Sequence, residues 1–118
     1  MNVLEFKFCP VCKGDLETHD NFKKCTECGY ELYFNPTPGV SVYPVRNGET
    51  LLAKRGVDPF KGEWDSIGGF MNFDETAEEG IKREMFEETG LSINKLTYLG
   101  TYPSLYGDEN SERVVNIY

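Results

Sequence analysis

Residues Gly68 to Leu91 read GGFMNFDETAEEGIKREMFEETGL. Between Gly69 and Leu91 the stretch carries seven acids (Asp74, Glu75, Glu78, Glu79, Glu84, Glu87, Glu88) against two bases (Lys82, Arg83), a local net of -5. Thr76-Ala77-Glu78-Glu79 has the form of a capping box, with Thr76 as N-cap and Glu79 at the third helical position. Gly90 stands where a left-handed residue ends a helix. The spacing predicts a helix from Ala77 to Thr89. On a wheel with Glu84 at the origin, Glu88 falls at about 40° and Glu87 at about 300°, with Ala77, Ile81 and Met85 at about 20°, 60° and 100°.

Glu84 and Glu88 therefore border the apolar stripe, whereas an ordinary amphipathic helix keeps its acids on the opposite, solvated side. Three carboxylates at such an edge repel one another and lose hydration unless a cation compensates them. Hard oxygen ligands of this kind suit Mg²⁺ or Mn²⁺ shared with a substrate phosphate. Arg83 lies one turn before Glu87 and can pair with it. Gly80 costs the helix about 1 kcal/mol relative to alanine and leaves room for backbone or a ligand. Taken alone, Glu84, Glu87 and Glu88 also fit a solvated glutamate-rich helix.

The whole segment resembles the Nudix box, G-x5-E-x7-R-E-U-x-E-E-x-G-U with U aliphatic. All nine specified positions are filled, by Gly69, Glu75, Arg83, Glu84, Met85, Glu87, Glu88, Gly90 and Leu91. Average residue usage gives such a match a chance on the order of 10⁻⁹ per window, which sets coincidence aside. The resemblance extends upstream through Gly62-Glu63-Trp64-Asp65. It implies metal-dependent hydrolysis of a nucleoside diphosphate linked to a further group, by water attack at phosphorus. It also implies that Glu84, Glu87 and Glu88 ligate Mg²⁺ or Mn²⁺ with the Gly69 carbonyl, that Glu75 and Arg83 support that shell, and that Glu84 is a candidate base.

The cysteines read Cys9-Pro-Val-Cys12 and, twelve residues on, Cys25-Thr-Glu-Cys28. Disulfides are the bland reading, but a reducing compartment leaves four thiolates free to form a closed, structural Zn²⁺ site. Gly14 and Gly29 fit turns that aim backbone N–H groups at the sulfurs. With few large apolar residues in this stretch, metal binding supplies the folding free energy. His19 lies between the pairs and reads as a solvated loop residue. A four-cysteine module ahead of a Nudix domain resembles the NADH pyrophosphatase branch and its zinc-ribbon relatives, including ADP-ribose pyrophosphatases. The stretch GTYPSLYGDENSE is only loosely similar to the Pro- and Trp-containing motif that marks NADH selectivity, so NADH, NAD⁺ and ADP-ribose stay open as substrates, with capped RNA a distant one. Ile67 and Asn72-Phe73-Asp74 stand where many relatives carry proline and a Pro-Gly turn.

The expected fold is α+β: a small zinc ribbon over 1–34, then a Nudix-type α/β/α sandwich with a mixed β-sheet over 35–118. Tyr33-Phe34-Asn35-Pro36-Thr37-Pro38-Gly39 reads as the connector. Gly39 to Val45 and Thr50 to Lys54 read as strands joined by an Asn47-Gly48 hairpin. A short strand is expected near Asp65 to Gly68, and further strands in INKLTYLGTYPSLY and ERVVNIY around an acidic loop at Gly107 to Glu112. The family fold continues further than the residues after Leu91, so the domain is expected to be C-terminally incomplete.

The 118 residues, 39% hydrophobic and 14% aromatic, suit one compact domain plus a short module. No apolar run of about 18 residues occurs, and Met1 to Phe8 holds Glu5 and Lys7, which predicts neither a membrane span nor a secretory leader but a cytoplasmic chain. A net charge of -8 disfavours nucleic acid as a partner, and residues 1–32, with four bases and six acids, argue against a zinc-ribbon nucleic-acid binder. The expected partner is a small-molecule nucleotide, with a second copy in a homodimer reached through an open strand edge. The competing function is a non-catalytic nucleotide-binding or regulatory module.

Overall fold

Gly14 and Gly29 follow the two cysteine pairs, and around them the chain makes two tight turns that set the first of its two compact units. The computed structural model describes residues 5–106 and 112–118, with the backbone alone for 112–115. The units are Met1–Pro36 and Thr37–Tyr118. In the first, β1 (Leu16–Thr18), β2 (Phe22–Cys25) and β3 (Glu31–Tyr33) form an antiparallel sheet in the order β1-β2-β3. Among its described residues only Cys9, Gly14, Lys23 and Cys25 are buried. That is too small a core to hold a fold by apolar burial. His19 stacks on Phe22 with ring centroids 4.6 Å apart and stays exposed, as expected of a loop residue.

The second unit is built on β4 (Thr37–Val42), which lies between β9 (Ile67–Phe70) and β11 (Glu112–Ile117), with β10 (Thr101–Tyr106) outside β11. β11 runs parallel to β4, while β9 and β10 run antiparallel to their neighbours, so the sheet is mixed as expected. Two short ribbons complete the strands: β5 (Val45–Arg46) with β6 (Glu49–Thr50), and β7 (Ala53–Lys54) with β8 (Trp64–Asp65). The first turns at Asn47 and Gly48, whose φ of 52° and 77° are those of a type I′ hairpin.

One helix, α1 (Ala77–Thr89), packs on β9 and β4, and the sheet with this helix is what the described residues hold of the expected sandwich. Its ends are the expected ones. Glu79 N–H donates to Thr76 Oγ1 at 3.2 Å, Thr76 N–H donates to Glu79 Oε2 at 2.8 Å, and Gly90 closes the helix at φ 74°. Val40, Ile67, Ile81 and Met85 form the buried core between sheet and helix. Gly80 faces that core. A Cβ there would lie 3.3 Å from Val40 Cγ2 and 3.0 Å from Glu75 Oε1, so the glycine serves close packing of helix on sheet.

Four strand expectations differ in detail. The strand expected over Gly39 to Val45 starts at Thr37 and ends at Val42, because Val45 pairs with Thr50 in the separate β5–β6 ribbon. Leu51 and Leu52 fall between β6 and β7, because the ladder ends at Thr50 and Leu51 N–H turns back to the Pro44 carbonyl at 3.1 Å. Of INKLTYLGTYPSLY only Thr101–Tyr106 forms a strand; β11 offers partners from Thr101 onward, and β-propensity without a partner strand does not hold. The short strand near Asp65 divides at Ser66, whose N–H is taken by Asp65 Oδ1 at 2.8 Å. The expected acidic loop falls on 107–111, outside the described residues.

Candidate functional site

The Nudix-box glycine and first helix glutamate meet across the sheet–helix boundary. Gly69 pairs with Val40 in the β4–β9 ladder, and a Cβ on it would fall 2.5 Å from Glu84 Oε1. The bare backbone at this position is what lets the Glu84 carboxylate rest against β9.

Arg83 gathers the acids. Its Nε donates to Glu75 Oε2 at 2.9 Å and its Nη2 to Glu75 Oε1 at 2.6 Å, a two-pronged pair. Nη1 donates to Glu84 Oε1 at 2.8 Å and to Glu87 Oε2 at 3.2 Å, and Nη2 also reaches the Phe70 carbonyl at 3.2 Å. The pairing with Glu87 was legible from the i,i+4 spacing; those with Glu75 and Glu84 depend on how helix and loop fold together. The Arg83 hydrogen bonds, with the Asn72 N–H, hold the Glu75 carboxyl down to about 2, and Arg83 itself is raised by Glu75 and Glu84.

Glu88 behaves in the opposite way. Burial raises its pKa, the Glu84 and Asp65 carboxylates raise it further, the Gly68 N–H opposes them and Glu87 adds to the rise. A carboxylate group that resists its own charge marks a place where positive charge is missing. Glu84 and Glu87 are close enough to act on Glu88, although the carboxylate oxygens of the three do not all come within 4.8 Å of one another; as hard oxygen donors they, with the Gly69 carbonyl, are of the kind that suits a divalent cation such as Mg²⁺ or Mn²⁺. Asp65, which contributes to this field, carried no site role in the sequence; its only signal was its place just upstream of the box.

A cavity of about 400 Å³ opens beside Gly68 and Gly69. Phe70 and Tyr106 wall it edge to face, with centroids 5.4 Å apart, and Trp64 and Arg55 also line it. Arg55 reaches the Pro59 carbonyl at 2.6 Å, Asp65 at 3.3 Å and the Tyr106 hydroxyl at 3.3 Å. Ser41, Ser104 and Asn116 supply polar lining. No sequence pattern links these residues; only the sheet brings them together.

In the other unit the ligand atoms of Cys9, Cys12, Cys25 and Cys28 all lie within 4.8 Å of one another, with no disulfide. Backbone N–H groups point at the sulfurs, from Val11 to Cys9 at 3.4 Å, Gly14 to Cys12 at 3.3 Å, and Glu27 and Cys28 to Cys25 at 3.4 and 3.5 Å. The Cys28 and Glu27 N–H groups lower the Cys25 pKa to about 6 despite burial. Cys12 rises to about 12: the Gly14 N–H lowers it, but sharing protons with Cys25 and Cys28 outweighs that. Both expected turns form, although in the first it is Lys13, at φ 66°, rather than Gly14 that takes the left-handed conformation. Among the described residues this is the only group of three or more His, Cys, Asp or Glu ligand atoms so close together, and it is a possible metal site.

The NUDIX domain family matches residues 35–118, and the chain belongs to it. An NAD-capped RNA hydrolase NudC of Haemophilus influenzae (strain PittGG) is 41% identical over 101 residues, covering 82% of this chain and 38% of the relative. An ADP-ribose pyrophosphatase of Methanocaldococcus jannaschii is 41% identical over 75 residues, covering 64% of this chain and 44% of that protein. The chain thus spans less than half the length of both relatives. The crystal structure of a NUDIX hydrolase from Nitrosomonas europaea superposes with a TM-score of 0.67 at 27% identity, covering 95% of this chain and 65% of that one. Nudix hydrolases generally need a divalent metal. Among the described residues no helix is long and apolar enough to cross a membrane.

Proposed function

We propose that this chain hydrolyses the pyrophosphate bond of a nucleoside diphosphate linked to another group, of the NADH, NAD⁺ or ADP-ribose type, using a divalent cation. The observation that carries the reading is the seating of the Glu84 carboxylate against bare Gly69 on the helix side of β9, the strand whose Gly68 and Phe70 line the cavity of about 400 Å³. Glu84, Glu87, Glu88 and the Gly69 carbonyl would hold Mg²⁺ or Mn²⁺. Such an ion, when bound, would neutralise pyrophosphate charge and lower the pKa of a bound water.

The chain's own residues do the rest. Arg83 holds Glu75 and Glu84 through side chains that are mostly out of solvent and also pairs with the exposed Glu87, which orients Glu84 as the candidate base for the attacking water. Oxygen of that water bonds to phosphorus, the bridging P–O bond breaks, and the proton passes to the carboxylate. In this reading residues 1–34 are a zinc ribbon closed by Cys9, Cys12, Cys25 and Cys28 around Zn²⁺, ahead of the catalytic domain over 35–118. The four unpaired thiols suit a cytoplasmic protein. β10, at the edge of the sheet, is the strand through which a homodimer would form.

The test is a panel of NADH, NAD⁺ and ADP-ribose with Mg²⁺ or Mn²⁺, scored for release of AMP. Metal-dependent AMP release abolished by Glu84→Gln is expected. Nucleotide binding with no AMP from any of them would overturn the hydrolase reading in favour of a regulatory module.

A further inference from the structure

Asn116 sits on β11 opposite Gly39 of β4 and Tyr102 of β10. Side chains alternate across a strand, and Val40 faces Gly80 of α1, so Gly39, Ser41 and Asn116 lie on the sheet face turned away from the helix. A Cβ on Gly39 would fall 2.7 Å from Asn116 Oδ1. The glycine thus makes space for the amide oxygen on the cavity floor. Asn116 Nδ2 donates to Ser104 Oγ at 3.1 Å, a diagonal cross-strand bond that fixes which end of the amide points where. Among the described residues this is the amide's only hydrogen bond, so Oδ1 and the second N–H are left to face the cavity.

The surroundings say what such an amide would meet. The edge-to-face pair Phe70 and Tyr106 lines the same cavity, and Arg55 holds Tyr106 in place through its hydroxyl. Aromatic walls above an oriented donor–acceptor pair are suited to a planar ring with a complementary polar edge.

We propose that Asn116, oriented by Ser104, is a specificity-determining residue that reads a ring edge carrying an adjacent donor and acceptor, as in an aminopurine or a ring carboxamide. The proposal deepens the hydrolase reading and rests on it for the identity of the ligand as a nucleotide. A buried or half-buried amide built to make these bonds rejects an analogue that lacks them, because its own polar atoms are then left unpaired.

The experiment follows the fluorescence of Trp64, the sole tryptophan and a lining residue, during titration with four mononucleotides. AMP is compared with purine riboside monophosphate, which lacks the exocyclic amine, and nicotinamide mononucleotide with nicotinate mononucleotide, which lacks the amide N–H. In at least one pair the amide-like ring is expected to bind about three- to tenfold more tightly. The pair that discriminates shows which half of a dinucleotide enters the cavity. Asn116→Leu is expected to bring that preference within about twofold, and Asn116→Ala, which keeps the strand's backbone bonding, serves if the leucine variant does not fold. No preference in the wild type, a preference that survives in a folded variant, or no binding of any of the four overturns the proposal. Discrimination without turnover of NAD⁺ or ADP-ribose would overturn only the hydrolase reading; turnover without discrimination would overturn only this one.

Discussion

Arg83 holds Glu75 with two parallel hydrogen bonds, at 2.9 and 2.6 Å, across the turn that leads into α1. Eight residues separate the two in sequence, so the bond ties the loop after β9 to the middle of the helix. Glu75 returns the constraint by accepting the Asn72 N–H at 2.8 Å, which shapes the turn itself. Its folded pKa is about 2 against an ordinary 4.5, so its contribution to stability is complete above 4.5 and is lost as pH falls toward 2. Glu75→Gln is expected to be less stable than wild type at pH 7 and to lose less stability on acidification through this window. Thermal melts across the pH range check it; parallel curves for the two proteins would remove Glu75 from the acid response.

Gly69→Ala tests the seating of Glu84. The added methyl would fall 2.5 Å from Glu84 Oε1, and the flexible carboxylate, rather than the sheet, would give way. The fold is expected to survive with a change of about 1 kcal/mol or less, while AMP release falls by about tenfold or more through displacement of a catalytic group. Circular dichroism beside steady-state kinetics separates the two effects. Unchanged kinetics would show that Glu84 is not held at this strand for catalysis.

Glu88 is raised by burial first and by neighbouring acids second, so its ionised form costs stability above its folded pKa, and the cost disappears as pH falls below the ordinary value of 4.5. In the absence of divalent ions, Glu88→Gln is expected to melt higher than wild type at pH 7, by on the order of a few degrees. The advantage should vanish near pH 4 and reverse when Mn²⁺ is added, since the variant has lost a ligand. Differential scanning calorimetry with and without Mn²⁺ reads all three.

The four-thiol cluster is expected to carry one tightly held Zn²⁺ per chain, found by metal analysis of protein purified without added zinc. Cys25→Ser removes one of the two buried thiols and is expected to melt β1 to β3 while leaving α1 protected, because the first unit has almost no apolar core of its own. Amide hydrogen exchange resolved along the chain distinguishes this from global unfolding. A metal content near zero would reject the zinc assignment.

Local rules make much of this protein legible in its amino-acid sequence. The helix ends at Thr76 and Gly90, the Asn47-Gly48 turn and the cysteine knuckles each depend on residues within a few positions of one another, where backbone geometry and side-chain reach decide the outcome. The box resemblance singles out Gly69, Glu75, Arg83, Glu84, Glu87 and Glu88 because their types and spacing lie in one continuous segment. What stays hidden lies between segments. The mixed order β10-β11-β4-β9, the loss of strand before Thr101, and the meeting of Arg55, Tyr106 and Asn116 at one cavity depend on which strands pair. Pairing is set by register and burial over long separations, and neither propensity nor periodicity in a single chain carries it.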